Sequence, residues 1–231
     1  LISVFTKNKN LKKHLKKYGS LMPPKTHYEK ASNDSGYKKW NTVRDVIGKI
    51  TPLDAKDKNS ASSDIEFHSV PVLDSKKYSW VSNTPLEKSA FDNQCQFCDY
   101  NENITHSSSK DVNGINRSSK KTPIYCCNCG KLLPRPYVEK NGEYRLLKGF
   151  TSAYKRMKYD APSPTLTRNL SYACSDKKLH PTQNRVLSLY EAFILHTIDK
   201  FYYECLKDNS TRPSNKTIRQ IICESMPPSG L

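Results

Sequence analysis

Two short cysteine pairs constrain this chain more than any other feature. Cys95-Gln96-Phe97-Cys98 and Cys126-Cys127-Asn128-Cys129-Gly130 are C-x-x-C knuckles separated by 27 residues. Each tight turn aims two thiolates at one point, and two such turns supply the four sulfurs of a tetrahedral structural zinc site. Gly130, directly after the second pair, lets the backbone turn under the metal. The expected ligands are Cys95, Cys98, Cys126 and Cys129, with residues 99–125 as an arm between the knuckles. Cys127 could replace Cys126, and His106 could replace one sulfur. Two disulfides are the competing reading, but they need an oxidising compartment, and no export leader is visible. Four protein ligands leave no open position, so the zinc should be structural rather than catalytic. Cys174, Cys205 and Cys223 lie outside any motif and read as ordinary buried residues.

Charge narrows the class of partner. The 231 residues carry 38 Lys+Arg against 22 Asp+Glu, a formal net charge of +16. Such an excess points to a polyanion, nucleic acid above all, with a basic solubilising surface as the bland alternative. No uninterrupted apolar run is long enough to span a bilayer. None of the 8 glycines is spaced as G-x-G, and no GK[ST] loop occurs, so the chain has no nucleotide-binding loop of its own.

The local patterns are uneven. Leu1-Ile2-Ser3-Val4-Phe5 alternates like a strand, and a chain that begins inside a strand reads as a piece of a larger protein. The Lys-rich stretch Lys7 to Tyr18 is a short helix or a solvated loop. Val43, Val46, Ile47 and Ile50 keep helical spacing behind Thr42 as N-cap, with Asp45 in the first turn. Residues 54–64 read as a linker. His68 to Asn93, around Trp80, reads as irregular structure with little regular helix. Asn141-Gly142 between two alternating runs predicts a hairpin, because both turn positions need φ > 0. Ser188 and Glu191 form a capping box ahead of a predicted helix over 188–206. A shorter helix is expected from Thr217 to Glu224.

Residues 150–192 resemble the C-terminal part of DNA (cytosine-5) methyltransferases. The residues that bear the likeness are Arg156, Tyr159-Asp160, Pro162-Ser163-Pro164-Thr165-Leu166-Thr167, His180-Pro181, Arg185, Leu187-Ser188 and Glu191-Ala192. The last of these match the family's ninth motif. Cys223-Glu224-Ser225-Met226-Pro227-Pro228 is similar to the tenth, although Cys223 stands where the family has Gly. At the front, LISVFTK resembles the core strand of the eighth motif and TVRDVIGKITPL the helix after it. No Pro-Cys dipeptide, which supplies the family's nucleophile, occurs among these residues.

The resemblance implies an α+β chain. An irregular target-recognition domain with a zinc-ribbon-like four-cysteine site would be flanked by segments completing a doubly wound α/β methyltransferase domain. The implied parts are 1–55 (end of the catalytic domain), 56–165 (target recognition with the zinc-braced arm) and 166–231 (return to the catalytic domain). The implied function is the DNA-recognition portion of an S-adenosylmethionine-dependent cytosine-5 methyltransferase of a restriction-modification system. It would bind double-stranded DNA in a prokaryotic cytoplasm and depend on a catalytic domain or subunit elsewhere. No residue here is expected to be catalytic, so the chain alone should be inactive.

Lys155, Arg156, Thr165, Thr167 and Arg168, among Tyr154, Tyr159 and Tyr172, are the expected DNA contacts. Their bland reading is a solvated charged face, or for Arg156 a brace to Asp160. Glu224, Ser225 and Met226 would lie against the cofactor. Arg185, Ser188 and Glu191 would organise the junction between domains, with Glu191 a cap rather than an acid. A non-enzymatic zinc-ribbon protein that binds nucleic acid is the rival from another class, and a decayed methyltransferase remnant is a second.

Overall fold

The structure is a computed structural model that describes residues 13, 27–29, 36–106, 108–110, 112–114, 116–118, 121–148, 150–198 and 212–225. The expected first strand, most of the Lys-rich stretch, Cys205 and Met226-Pro227-Pro228 lie outside the described residues. The chain divides into two compact units, Leu1–Trp40 and Asn41–Leu231. In the first, β1 (His27–Tyr28) pairs in parallel with β2 (Lys38–Lys39).

The second unit is built from short elements whose ends are fixed by side chains. Helix α1 (Val43–Ile47) starts on a full capping box, with the Thr42 hydroxyl accepting from the Asp45 amide and Asp45 accepting from the Thr42 amide. It stops at Gly48, where a Cβ would lie 2.5 Å from the Arg44 carbonyl oxygen, so a side chain there would force the turn open. Helix α2 (Ser75–Ser82) is capped by Asp74, whose carboxylate accepts from the Lys77 amide. That helix corrects the reading of His68 to Asn93 as irregular. Its sequence, SKKYSWVS, has no clear apolar stripe, yet Trp80 and Val81 are both buried. A 3-10 turn (Ala90–Asp92) leads into the first knuckle.

Strands β3 (Ser108–Lys110) and β4 (Asn116–Ser118) form an antiparallel pair in the arm between the knuckles. Strands β5 (Tyr137–Lys140) and β6 (Glu143–Leu146) form the expected hairpin, with Asn141 at φ 54° and Gly142 at φ 78° in its turn. Helix α3 (Leu189–Leu195) begins at the predicted capping box and ends with His196 as its C-cap, because Thr197 turns to φ 58°; residues 199–206 of the predicted helix lie outside the described residues. Helix α4 (Asn215–Glu224) is capped by Ser214. Among the described residues no helix is long and apolar enough to cross a membrane.

Three buried clusters organise this unit. The first joins α1, α3 and α4 through Val43, Ile47, Phe193, Ile218 and Ile222, with Met157, Leu166 and Leu170 packed among them. The second holds Leu53, Trp80, Val81 and Phe91 against Tyr154, Leu179 and Val186. The boundary expected at 165/166 therefore falls inside shared packing, since Ala173, Leu179 and Val186 pack with residues 53–91. The third cluster consists of Cys95, Cys126 and Leu133, with Cys98, Tyr100 and Cys129 partly buried around it. One leucine and one tyrosine are too little apolar area to fix an arm of this length. The cysteines must supply the rest.

Candidate metal centre and basic face

The two knuckles are near copies of each other. Cys95 donates its amide to the Tyr100 carbonyl at 3.3 Å, and Cys126 donates to Lys131 at 2.8 Å, the same five-residue step. Behind each second cysteine the backbone passes through positive φ, 50° at Asp99 and 68° at Gly130. The four sulfurs all lie within 4.8 Å of one another. Cys95 is 3.5 Å from Cys98 and 3.6 Å from Cys129, and Cys98 is 3.7 Å from Cys126. A tetrahedron of thiolates about 2.3 Å from zinc would space its sulfurs by about 3.8 Å. A covalent S–S bond of about 2.05 Å does not fit this arrangement, in which Cys95 and Cys98 each face two other sulfurs.

Electrostatics favours a cation at the centre. Burial pushes the Cys126 thiol up, but the amides of Cys129 and Asn128 and the side chain of Asn103 outweigh it and bring it down to about 6. The Lys131 amide lowers Cys129, whereas burial and the three neighbouring sulfurs push it up to about 12. Crowded sulfurs resist ionising together until a divalent ion shares their charge. The donor set and spacing fit a structural metal ion.

Both alternative ligands are excluded. Cys127 is exposed and outside the cluster, its amide donating to Asn103 Oδ1 at 2.9 Å. The His106 ring stacks on Phe91 with centroids 4.5 Å apart, away from the sulfurs, and burial lowers its pKa. Cys174 is exposed rather than buried, a correction to the reading of the unpaired cysteines.

Two residues outside every motif hold the centre in place. Asn103 is buried, donating to Cys126 Sγ at 3.7 Å while receiving the Cys127 amide. Arg135 is fully buried and donates to the carbonyls of Asn93, Ile104 and Pro123, tying both ends of the arm together.

The expected DNA contacts separate into three groups. Arg156 is 3% exposed, and its guanidinium donates to the carbonyls of Thr84, Val81, His180 and Gln183 and to Asn184 Oδ1. It is an internal brace and cannot reach a phosphate. Desolvation lowers its pKa to about 10, which still leaves it charged at neutral pH. Its suggested partner Asp160 pairs instead with Arg44, in a two-pronged bridge of 2.6 and 2.9 Å, while Arg44 lies over the Tyr159 ring. Thr167 presents no hydroxyl to solvent, since its Oγ1 is buried. Tyr154 is buried as well. Thr165 and Arg168 are exposed. Lys155 lines an open polar cleft of about 600 Å³ with Lys88, Lys177, Thr105, Ser152 and His106. Asp92 and Asp176 also border this cleft; Asp92 accepts from the Ser89 and His106 amides, and Asp176 is exposed beside Lys177.

The organising residues do meet. Arg185 and Glu191 are both 0% exposed and form a bidentate pair at 2.7 Å through each guanidinium arm. Glu191 also accepts from the Ser188 amide, closing the capping box, and Arg185 reaches the Val186 carbonyl and Gln183 Oε1. Burial would raise the Glu191 pKa, but the Arg185 hydrogen bonds and charge hold it below the usual carboxylate range. His180 Nδ1 accepts from the amides of Thr182 and Gln183, so the proton of the neutral ring sits on Nε2, 3.9 Å from Glu191. At the expected cofactor residues, Ser225 is engaged by His196 Nε2, and Glu224 accepts from Gln220.

No family model matches the chain. Over 191 residues it is 25% identical to the Type II methyltransferase M1.HgaI of Avibacterium volantium. The chain is similar to a methyltransferase. The match covers 81% of this chain and 41% of that protein, so the chain spans well under half of its relative.

Proposed function

We propose that this chain is the DNA-recognition portion of a DNA (cytosine-5) methyltransferase of a restriction-modification system. The observation that carries the proposal is the buried Arg185–Ser188–Glu191 set, in a chain similar along 81% of its length to a Type II methyltransferase. That set ties helix α3 to the turn before it, and the Ser188 hydroxyl, 2.9 Å from His68 Nδ1, links it to the expected recognition segment, in the order that the cytosine-5 resemblance implies. The four-cysteine cluster holds a zinc ion that does no chemistry and keeps the arm folded. Lys155, half-buried in the cleft with Lys88 and Lys177 beside it, and the exposed Arg168 contact DNA phosphates. Arg156 positions that loop from inside the protein.

In this reading the target cytosine leaves the duplex, a cysteine thiolate outside these 231 residues adds to C6, carbon 5 gains the methyl group, and loss of the C5 proton to a base then breaks the C6–S bond and frees the thiolate. S-adenosylmethionine supplies the methyl group when bound. This chain's own residues bind and orient the DNA, and the Arg185–Glu191 pair fixes the start of α3 to the turn that precedes it.

The test is a salt titration of duplex binding by the zinc-loaded chain. Lys155→Ala and Arg168→Ala should each weaken binding to all duplexes similarly and reduce the salt slope by about one unit. Loss of sequence discrimination with an unchanged slope in either variant would remove these residues from the phosphate face.

A further inference from the structure

Between α2 and the metal centre lies a groove of about 330 Å³ that takes no part in the phosphate face. It is lined by the rings of Trp80, Tyr137 and Phe97 together with Leu133 and Pro134. Phe97 is the third residue of the first knuckle and is 60% exposed, although both its flanking cysteines belong to the metal cluster. Its amide donates to Cys95 Sγ at 3.4 Å, so an ion at the centre fixes the ring through the backbone on both sides. An exposed aromatic ring on a metal-braced turn is a rigid platform rather than a core residue displaced to the surface.

The rim is cationic. Lys131 Nζ lies 4.5 Å from the Phe97 ring centroid, and Lys76 Nζ lies 4.0 Å from that of Tyr137. Among the described residues no carboxylate lines the groove. Lys131 is exposed and held over a ring face, a contact worth about 0.5–1 kcal/mol, and Lys76, half-buried over Tyr137, also feels the charge of Asp74. They are free to swing toward an anion while the ring accepts a flat partner. Aromatic faces flanked by lysines, with no carboxylate in the lining, match one ligand chemistry well: a planar base with phosphates on either side.

We infer that this groove receives an unstacked nucleobase of the bound DNA, stacked on Phe97, with the neighbouring phosphates on Lys76 and Lys131. The inference rests on the DNA-recognition reading and assigns that reading a residue outside the resemblance. A perfect duplex hides its base faces. Extruding one base for reaction leaves its partner unpaired, and an unpaired base offers the face that this groove can hold.

The experiment measures anisotropy of three labelled probes of equal length with the zinc-loaded full chain. The probes are a perfect duplex, the same duplex with one unpaired base, and a single strand. The native chain should prefer the duplex with the unpaired base. Phe97→Leu should lose about 5- to 160-fold of affinity for that probe, the range for losing one base–aromatic stack, while keeping its zinc and its affinity for the perfect duplex. Phe97→Tyr should retain the preference.

A native chain without preference for the unpaired base, or an unchanged preference in Phe97→Leu, overturns the inference and leaves duplex recognition standing. A native chain that binds none of the probes sinks the DNA-recognition reading and this inference with it. Tight binding of an acidic, aromatic-containing peptide, lost in Phe97→Leu while DNA binding is retained, would give the groove to a protein partner and overturn it too.

Discussion

Replacing Glu191 by Gln keeps the shape of the side chain and removes its charge, at a position with no access to water. In the native chain three N–H groups converge on the carboxylate, two from Arg185 and one from Ser188. The glutamine oxygen can still receive one or two of them, but the amide NH2 must then face a guanidinium N–H, donor against donor. Arg185 keeps its charge, fully buried, with only the Val186 carbonyl and Gln183 to share it. Breaking a buried pair from one side costs about 3–5 kcal/mol, of which roughly 1 is the weakened helix cap. For a chain of this size that corresponds to a fall in Tm of about 6–20 °C.

The same principle makes the double variant diagnostic. Arg185→Met with Glu191→Leu removes both charges together, so it should be more stable than Arg185→Met or Glu191→Leu alone by about 2 kcal/mol or more. Thermal melts of the four chains in one buffer measure this. A Glu191→Gln shift under about 2 °C, or a double variant as unstable as the summed singles, would refute the picture of a desolvated, mutually dependent pair.

Other consequences follow from buried groups. His180 is 1% exposed, and burial, with the Arg185 charge next, pushes its pKa down to about 3. The unfolded chain therefore holds more protons than the folded one between about pH 6.5 and pH 3, and stability falls as pH drops through that window. Urea midpoints measured from about pH 7 to 4 should show a shallower decline in His180→Asn than in the native chain. Arg156→Lys should lower Tm by several degrees, because one ammonium cannot reach the five oxygens that the guanidinium serves, and should leave the salt slope of DNA binding unchanged. Elemental analysis should give one zinc per chain, and Cys95→Ser should lose the metal and expose the arm to limited proteolysis, leaving Phe193 and the α1–α3–α4 cluster protected. A folded, reduced sample without zinc would end the metal assignment.

What the sequence disclosed was local. Thr42 with Asp45, Ser188 with Glu191 and Asn141-Gly142 act within a few residues, and each fixes a helix start or a turn in the structure. The C-x-x-C spacing likewise selects Cys126 over Cys127. Tertiary partners were invisible. Arg156 reads as part of a basic surface in SAYKRMKYD, but its oxygens come from residues 81–84 and 180–184, which only the fold assembles around it. Asp160 finds Arg44, 116 positions away, instead of the near arginine. Helix α2 carries no periodic signal, because its buried apolar residues, Trp80 and Val81, are adjacent rather than spaced by three or four. Asn103 and Arg135 have no motif at all. They matter because the arm they brace has almost no apolar core of its own.

The central claim is that this chain directs cytosine-5 methylation without performing it. The measurement is methyl transfer from labelled S-adenosylmethionine to duplex DNA by the chain alone, by a catalytic part bearing the Pro-Cys motif alone, and by the two together, with the methylated atom then identified in the digested DNA. The account requires 5-methylcytosine at one fixed sequence, formed only when both parts are present and lost when the four cysteines are stripped of metal. Methyl groups on an exocyclic nitrogen of adenine or cytosine, or transfer by this chain alone, would contradict it.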